Sequence, residues 1–204
     1  MRQILLVLNT YTNSLVLLYP GTDLRPEITL DSQLCREIEV PCLDIISTYM
    51  EKQLTFSYYS YENWRQTELI PKDVQEKLEA LLETAYAPYS NYPVSSVVVM
   101  ESGVQVVGSN QENAAFPDGL CAERVAVLAA KAAYPEQRIT AVYIMTAEEQ
   151  RSPAAPCGSC RQVLHEAELR QAEPFDLYLM NKTDVALEFK GMQGLLPFSF
   201  TLPK

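Results

Sequence analysis

Two short clusters constrain this chain more than any other feature: Cys121-Ala122-Glu123-Arg124 and Pro156-Cys157-Gly158-Ser159-Cys160. Cys157 and Cys160 have two residues between them, the separation at which two thiolates can grip one tetrahedral ion. Cys121 lies 36 residues upstream and is the candidate third ligand. Glu123 sits too close to Cys121 to be a natural fourth ligand, yet close enough to reach a water bound beside it. Three protein ligands and a free position make the pattern of a catalytic zinc, because structural sites are normally closed by four. The competing arrangement is a structural knot closed by Cys35 or Cys42. Such a knot would explain neither Glu123 nor its neighbours.

Charge narrows the partners. Over 204 residues the net charge is -10, whereas a polyanion binder draws its affinity from clustered Lys and Arg. A nucleic acid polymer is therefore disfavoured, and a small neutral substrate is not. Five cysteines are an odd number without the spacing of a disulfide framework. Their use as metal thiolates points to a reducing compartment, the cytoplasm. The apolar run Ile4–Leu8 is too short for a signal-peptide core or a membrane span.

Residues 1–49 read differently from the rest, alternating short apolar runs with Pro20, Gly21 and Pro26. They form either a genuine appendage, such as a strand hairpin, or an over-extended reading frame whose true start is Met50. Residues 50–204 read as one domain. The aromatic stretch Phe56–Tyr61 and Trp64 suit packing over a hydrophobic surface. Val74, Leu78, Leu81, Leu82 and Ala85 give a helical rhythm over Pro71–Tyr86. Val94–Met100 and Val104–Val107 flank Ser102-Gly103 as a hairpin. Helices are expected over Cys121–Tyr134 and Gly158–Leu169, and strands over Ala141–Met145, Asp176–Met180 and Val185–Phe189. The order αββαβαββ implies a sheet sandwiched by helices.

Both cysteine clusters then fall at helix starts, where backbone N–H groups and the positive helix end favour thiolates. Arg124 and Arg161 are each placed to hydrogen-bond a sulfur and offset the negative charge of three thiolates. Glu123, near the metal but not on it, is the candidate group to take and return protons. The single histidine, His165, lies two turns into its helix and reads as a packing or surface residue.

The chain at this point resembles the zinc-dependent cytidine deaminase family, in its small three-cysteine, homotetrameric form. The resemblance runs from about Ile70 to Leu202. It rests on Ala87-Pro88-Tyr89-Ser90-Asn91-Tyr92-Pro93-Val94, Asn110-Gln111-Glu112-Asn113, the two cysteine clusters with Arg161-Gln162, and Leu195-Leu196-Pro197. A three-cysteine zinc site with a non-ligand glutamate is general to zinc deaminases. The resemblance implies a three-layer α/β/α sandwich with a mixed five-stranded sheet and one zinc per subunit on Cys121, Cys157 and Cys160. It further implies Glu123 as proton shuttle, Asn110 and Glu112 on the ribose hydroxyls, and Tyr92, where the family usually has Phe, stacked on the pyrimidine. The Ala122 backbone would read the base edge, and Phe200 would enter a neighbouring subunit's site in a homotetramer. The implied activity is hydrolytic deamination of cytidine and 2′-deoxycytidine, as in pyrimidine salvage. A deaminase for a cytosine-bearing antibiotic of the blasticidin type is the nearest rival. Two positions depart from the family: Val94-Ser95-Ser96-Val97 replaces Val-Gly-Ala-Ala, and Phe116 stands where tyrosine is common.

Overall fold

Alternation of buried side chains sets the architecture of the larger part of the chain. The computed structural model describes residues 5–9, 14–18, 27–28, 52–149 and 152–202. Cys35, Cys42 and Met50 lie outside them. The chain divides into two units, Met1–Leu54 and Thr55–Lys204. In the first, β1 (Leu5–Asn9) pairs antiparallel with β2 (Ser14–Leu18), which pairs antiparallel with β3 (Glu27–Ile28).

The second unit begins with β4 (Tyr59–Tyr61) and α1 (Lys72–Glu83), then β5 (Val94–Met100) and β6 (Gln105–Ser109). There follow α2 (Ala122–Ala133), β7 (Ile139–Thr146), α3 (Gly158–Leu169), β8 (Asp176–Met180) and β9 (Ala186–Lys190). The strands form one sheet in the order β4-β9-β8-β7-β5-β6. Only β7 and β8 run parallel, and α3 is the crossover that such a pair requires. The sheet is mixed, as the resemblance implies.

It has six strands rather than five. The sixth, β4, comes from the aromatic stretch and pairs antiparallel with β9, Tyr59 opposite Glu188 and Tyr61 opposite Ala186. Three residues at a sheet edge, paired to a segment more than 120 residues away, leave little periodicity to read. The packing expected of this stretch is present nearby: Tyr58 stacks on Phe189 with centroids 5.5 Å apart, and Trp64 is fully buried.

Both faces of the sheet are covered, so its central strands are apolar nearly throughout. Val98, Val142, Ile144, Leu177 and Leu179 face α2 and α3, packing on Ala126, Val127, Ala130 and Leu164. Their neighbours Val97, Ala141, Tyr143, Met145, Tyr178 and Met180 face α1, through Val74, Leu78 and Leu82, and Trp64. This is the three-layer sandwich. Ser95 and Ser96, the departures from the family pattern, are fully buried within β5.

The approach of α2 to the sheet is unusually close. Ala122, Ala126 and Ala130 recur every four residues on its buried face, all fully enclosed. Opposite them β6 offers Gly108, where a Cβ would lie 2.5 Å from the Ala122 carbonyl oxygen and 2.7 Å from the Ala126 nitrogen. Both obstacles are backbone, so the helix itself would have to shift. We expect Gly108→Ala to cost about 1–3 kcal/mol as an overpacked contact. Thermal unfolding should then show a lower Tm, by about 2–4 °C for each kcal/mol lost.

Candidate metal and nucleoside site

The sandwich brings two helix starts together. Cys121 is the N-cap of α2 and Cys157 the N-cap of α3, while Cys160 lies in the first turn of α3. The Cys157 sulfur accepts the Cys160 backbone N–H at 3.5 Å, so the ligand loop and the helix cap are one structure. The sulfurs of Cys121, Cys157 and Cys160 all lie within 4.8 Å of one another, and those of Cys157 and Cys160 are 3.3 Å apart. Zinc–sulfur bonds of about 2.3 Å in a tetrahedron put sulfurs roughly 3.8 Å apart. The cluster therefore fits one zinc ion, and three sulfurs leave its fourth position free.

The thiols act on one another electrostatically. Cys121 is pulled down to about 6, chiefly because the Cys160 thiol hydrogen-bonds it; burial and the Glu123 charge oppose this and Arg124 assists. Cys160 is pushed far up as the donor in that pair, and burial and Glu123 add to the effect. Three thiolates at this spacing need a cation among them, which is the chemistry of a metal site.

Glu123, on the first turn of α2, is only 4% exposed. It acts on the Cys160 thiol as a neighbouring charge and acceptor, pushing that thiol up, so the carboxylate lies beside the sulfur cluster. Ala122, fully buried, begins the same helix. Arg124 donates to the Gly119 carbonyl at 3.0 Å and approaches the Cys121 sulfur at 3.9 Å. Arg161 goes elsewhere. Its guanidinium donates to the carbonyls of Pro156 at 2.8 Å and Leu195 at 3.0 Å, tying the ligand loop to the C-terminal segment rather than to a sulfur. His165 lies on α3 with both ring nitrogens shielded and has no role in the thiol cluster.

Asn110 and Glu112 organise the neighbouring loops. The Asn110 side chain donates to the Tyr92 carbonyl at 3.0 Å and accepts the Val94 N–H at 2.8 Å. Glu112 accepts the Tyr89 N–H at 2.8 Å and bonds both the hydroxyl and N–H of Ser90. The Ser90 hydroxyl, then the Tyr89 N–H, hold its carboxyl below the usual range, so it is an anion. Beside it lies a cavity of about 350 Å³ lined by Tyr89, Ser90, Glu112, Asn113, Phe116 and Gly119. Tyr89 and Phe116 meet edge-on in its wall, 5.7 Å between centroids. Phe200 is not part of that lining; it is 68% exposed, with its backbone held at both N–H and C=O by Gln162.

Residues 71–172 match the family described as the cytidine and deoxycytidylate deaminase zinc-binding region, half of the chain. The chain belongs to this family of zinc-dependent cytidine deaminases. A cytidine deaminase of Halalkalibacterium halodurans is 38% identical over 128 residues, covering 63% of this chain and 91% of that protein. One of Sporosarcina psychrophila is 39% identical over 84 residues, 41% of this chain and 60% of the relative. Among solved structures, the cytidine deaminase of Burkholderia pseudomallei superposes with a TM-score of 0.55 at 34% identity, covering 65% of this chain and all of that one. In this deaminase, Cys121, Cys157 and Cys160 form the zinc site. Metal analysis should find one zinc per chain, and Cys157→Ser should lose most of it. A variant carrying Cys35→Ser and Cys42→Ser should keep the full amount, since the three-sulfur cluster is complete without them.

Proposed function

We propose that this deaminase hydrolyses the exocyclic amine of cytidine and 2′-deoxycytidine, giving uridine or 2′-deoxyuridine and ammonia. The observation that carries this reading is a buried carboxylate, Glu123, set against a three-thiol zinc site and supplying none of its sulfur ligands. Zinc held there supplies a Lewis acid that makes water nucleophilic near neutral pH. With zinc bound, Glu123 would take both protons of the attacking water in turn, passing one to the ring nitrogen as the C–O bond forms and the other to the amine as the C–N bond breaks, so that ammonia leaves as a neutral molecule. Its position on the first turn of α2, under a helix backbone pressed against Gly108, keeps that carboxylate still between the two transfers.

Tyr92 stacks on the pyrimidine in this reading, the Ala122 backbone meets the base edge, and Asn110 and Glu112 face the ribose. The cavity beside Glu112 has no Lys or Arg in its lining, and its carboxylate is anionic. That supports a neutral nucleoside over a nucleotide, whose phosphate would meet a negative wall. The net charge of -10 disfavours a polymer for the same reason.

A homotetramer is part of the proposal. Phe198, Phe200 and Leu202 are 89%, 68% and 76% exposed, an apolar run that association would cover. Three unpaired thiols among the described residues suit a reducing compartment, consistent with a cytoplasmic salvage enzyme. Residues 1–49 are read as an extension outside the deaminase domain, since the family match begins at residue 71.

An ultraviolet assay should show turnover of cytidine and deoxycytidine and little of deoxycytidine 5′-monophosphate. Glu123→Gln should lower kcat by roughly 10²–10⁴-fold, the usual worth of a positioned acid–base group, while zinc stays bound. Near-normal turnover by that variant would overturn the proton-shuttle role.

A further inference from the structure

One buried carboxylate near the site has no assigned work. Glu148 follows the end of β7, and both of its oxygens are shielded from solvent without a hydrogen-bond partner among the described residues. Enclosing a carboxylate costs free energy unless some group meets it. The strand register says which group that is. In the β5–β7 ladder Val94 lies opposite Thr146, and the Ala147 N–H donates to the Pro93 carbonyl at 3.1 Å, carrying the pairing one step further. One more step in the same register sets Tyr92 opposite Glu148.

The two side chains also share a face. Val94 packs with the cluster that faces α2 and α3, whereas Ala147 packs with the cluster on the α1 side. Alternation along each strand therefore turns Tyr92 and Glu148 towards the helices that carry the cysteines. Their proximity leaves an electrostatic trace: burial first, then the neighbouring Glu148 carboxylate and its charge, push the Tyr92 phenol up to about 12, with Thr146 opposing. The Glu148 backbone is itself anchored, its carbonyl accepting the Lys182 N–H at 3.2 Å.

We infer that Glu148 is a positioning residue, which holds the Tyr92 ring through its hydroxyl at the angle needed to stack on the pyrimidine. The inference rests on the deaminase reading, which puts Tyr92 against the base. A ring held only by its backbone can swing about its side-chain torsions; one whose tip meets a fixed acceptor cannot. Phenylalanine, the usual family residue, has no such tip. In this chain the added hydroxyl and the buried carboxylate form one device, acting on substrate affinity more than on the chemical step.

The test is a double-mutant cycle on the full-length, zinc-loaded protein with cytidine as substrate. Glu148→Ala should raise KM about fivefold, the scale of coupling between contacting side chains, with kcat changing less than about twofold. Glu148→Gln, which keeps an acceptor, should restore most of the affinity. The same Glu148→Ala change made on a Tyr92→Phe background should move KM by less than about twofold, because the hydroxyl it acts through is gone. Thermal unfolding of the four proteins gives a readout independent of activity, and the two single losses in Tm should fail to add. An unchanged KM in Glu148→Ala, or an equal rise in both backgrounds, would overturn the inference. Turnover of cytidine by the parent protein separates the two readings: if it is absent, the deaminase reading fails first and the positioning role falls with it. If it is present and the cycle is additive, only the positioning role fails.

Discussion

Everything in the deaminase domain that bears on chemistry depends on the contact between the first turn of α2 and Gly108 of β6. An alanine stripe on the helix and a missing side chain on the strand let two backbones meet at a distance that no Cβ would tolerate. The consequence is positional. Cys121 and Glu123 are rigidly tied to the sheet, and the sheet in turn fixes where the crossover through α3 delivers Cys157 and Cys160. A metal site assembled from two distant stretches of chain needs such a frame, because tetrahedral coordination tolerates little error in ligand position.

Electrostatics and packing pull in opposite directions at this point. Packing gathers three sulfurs, from the buried Cys160 to the exposed Cys157, beside the buried Glu123 carboxylate, and three thiolates so placed would repel one another. Helix N-termini and the Arg124 guanidinium relieve part of that repulsion. A divalent cation relieves the rest, which is why the same residues that make the site reactive also make it selective for being filled.

Much of this was legible from residue order. The five strands from Val94 to Lys190 were expected at nearly the positions where they occur, because burial on both faces leaves near-continuous apolar runs between turn residues. The cysteines were expected at helix starts and are found there. The missing pieces were non-local. Strand β4 pairs with a segment at the opposite end of the domain, and Arg161 reaches Leu195, which nothing near it in sequence announces. Glu148 carries no local signal, because its partner is set by register: only with Val94 facing Thr146 does Tyr92 acquire a carboxylate neighbour. Asn110, expected from the resemblance as a ribose contact, has its amide engaged with the backbone of residues 92 and 94, so it also ties Tyr92 to the end of β6.

Helix α3 has a second duty along its length. Arg161 holds Leu195, Glu168 receives the Met192 N–H, and Gln162 clasps Phe200 on both its backbone groups. An exposed, non-helical segment ordinarily surrenders conformational entropy when it meets a partner, and that loss is subtracted from affinity. Here three successive clasps have frozen the segment beforehand. The exposed rings of Phe198 and Phe200 are thus presented on a bonded backbone, so that any association they mediate begins from an ordered surface.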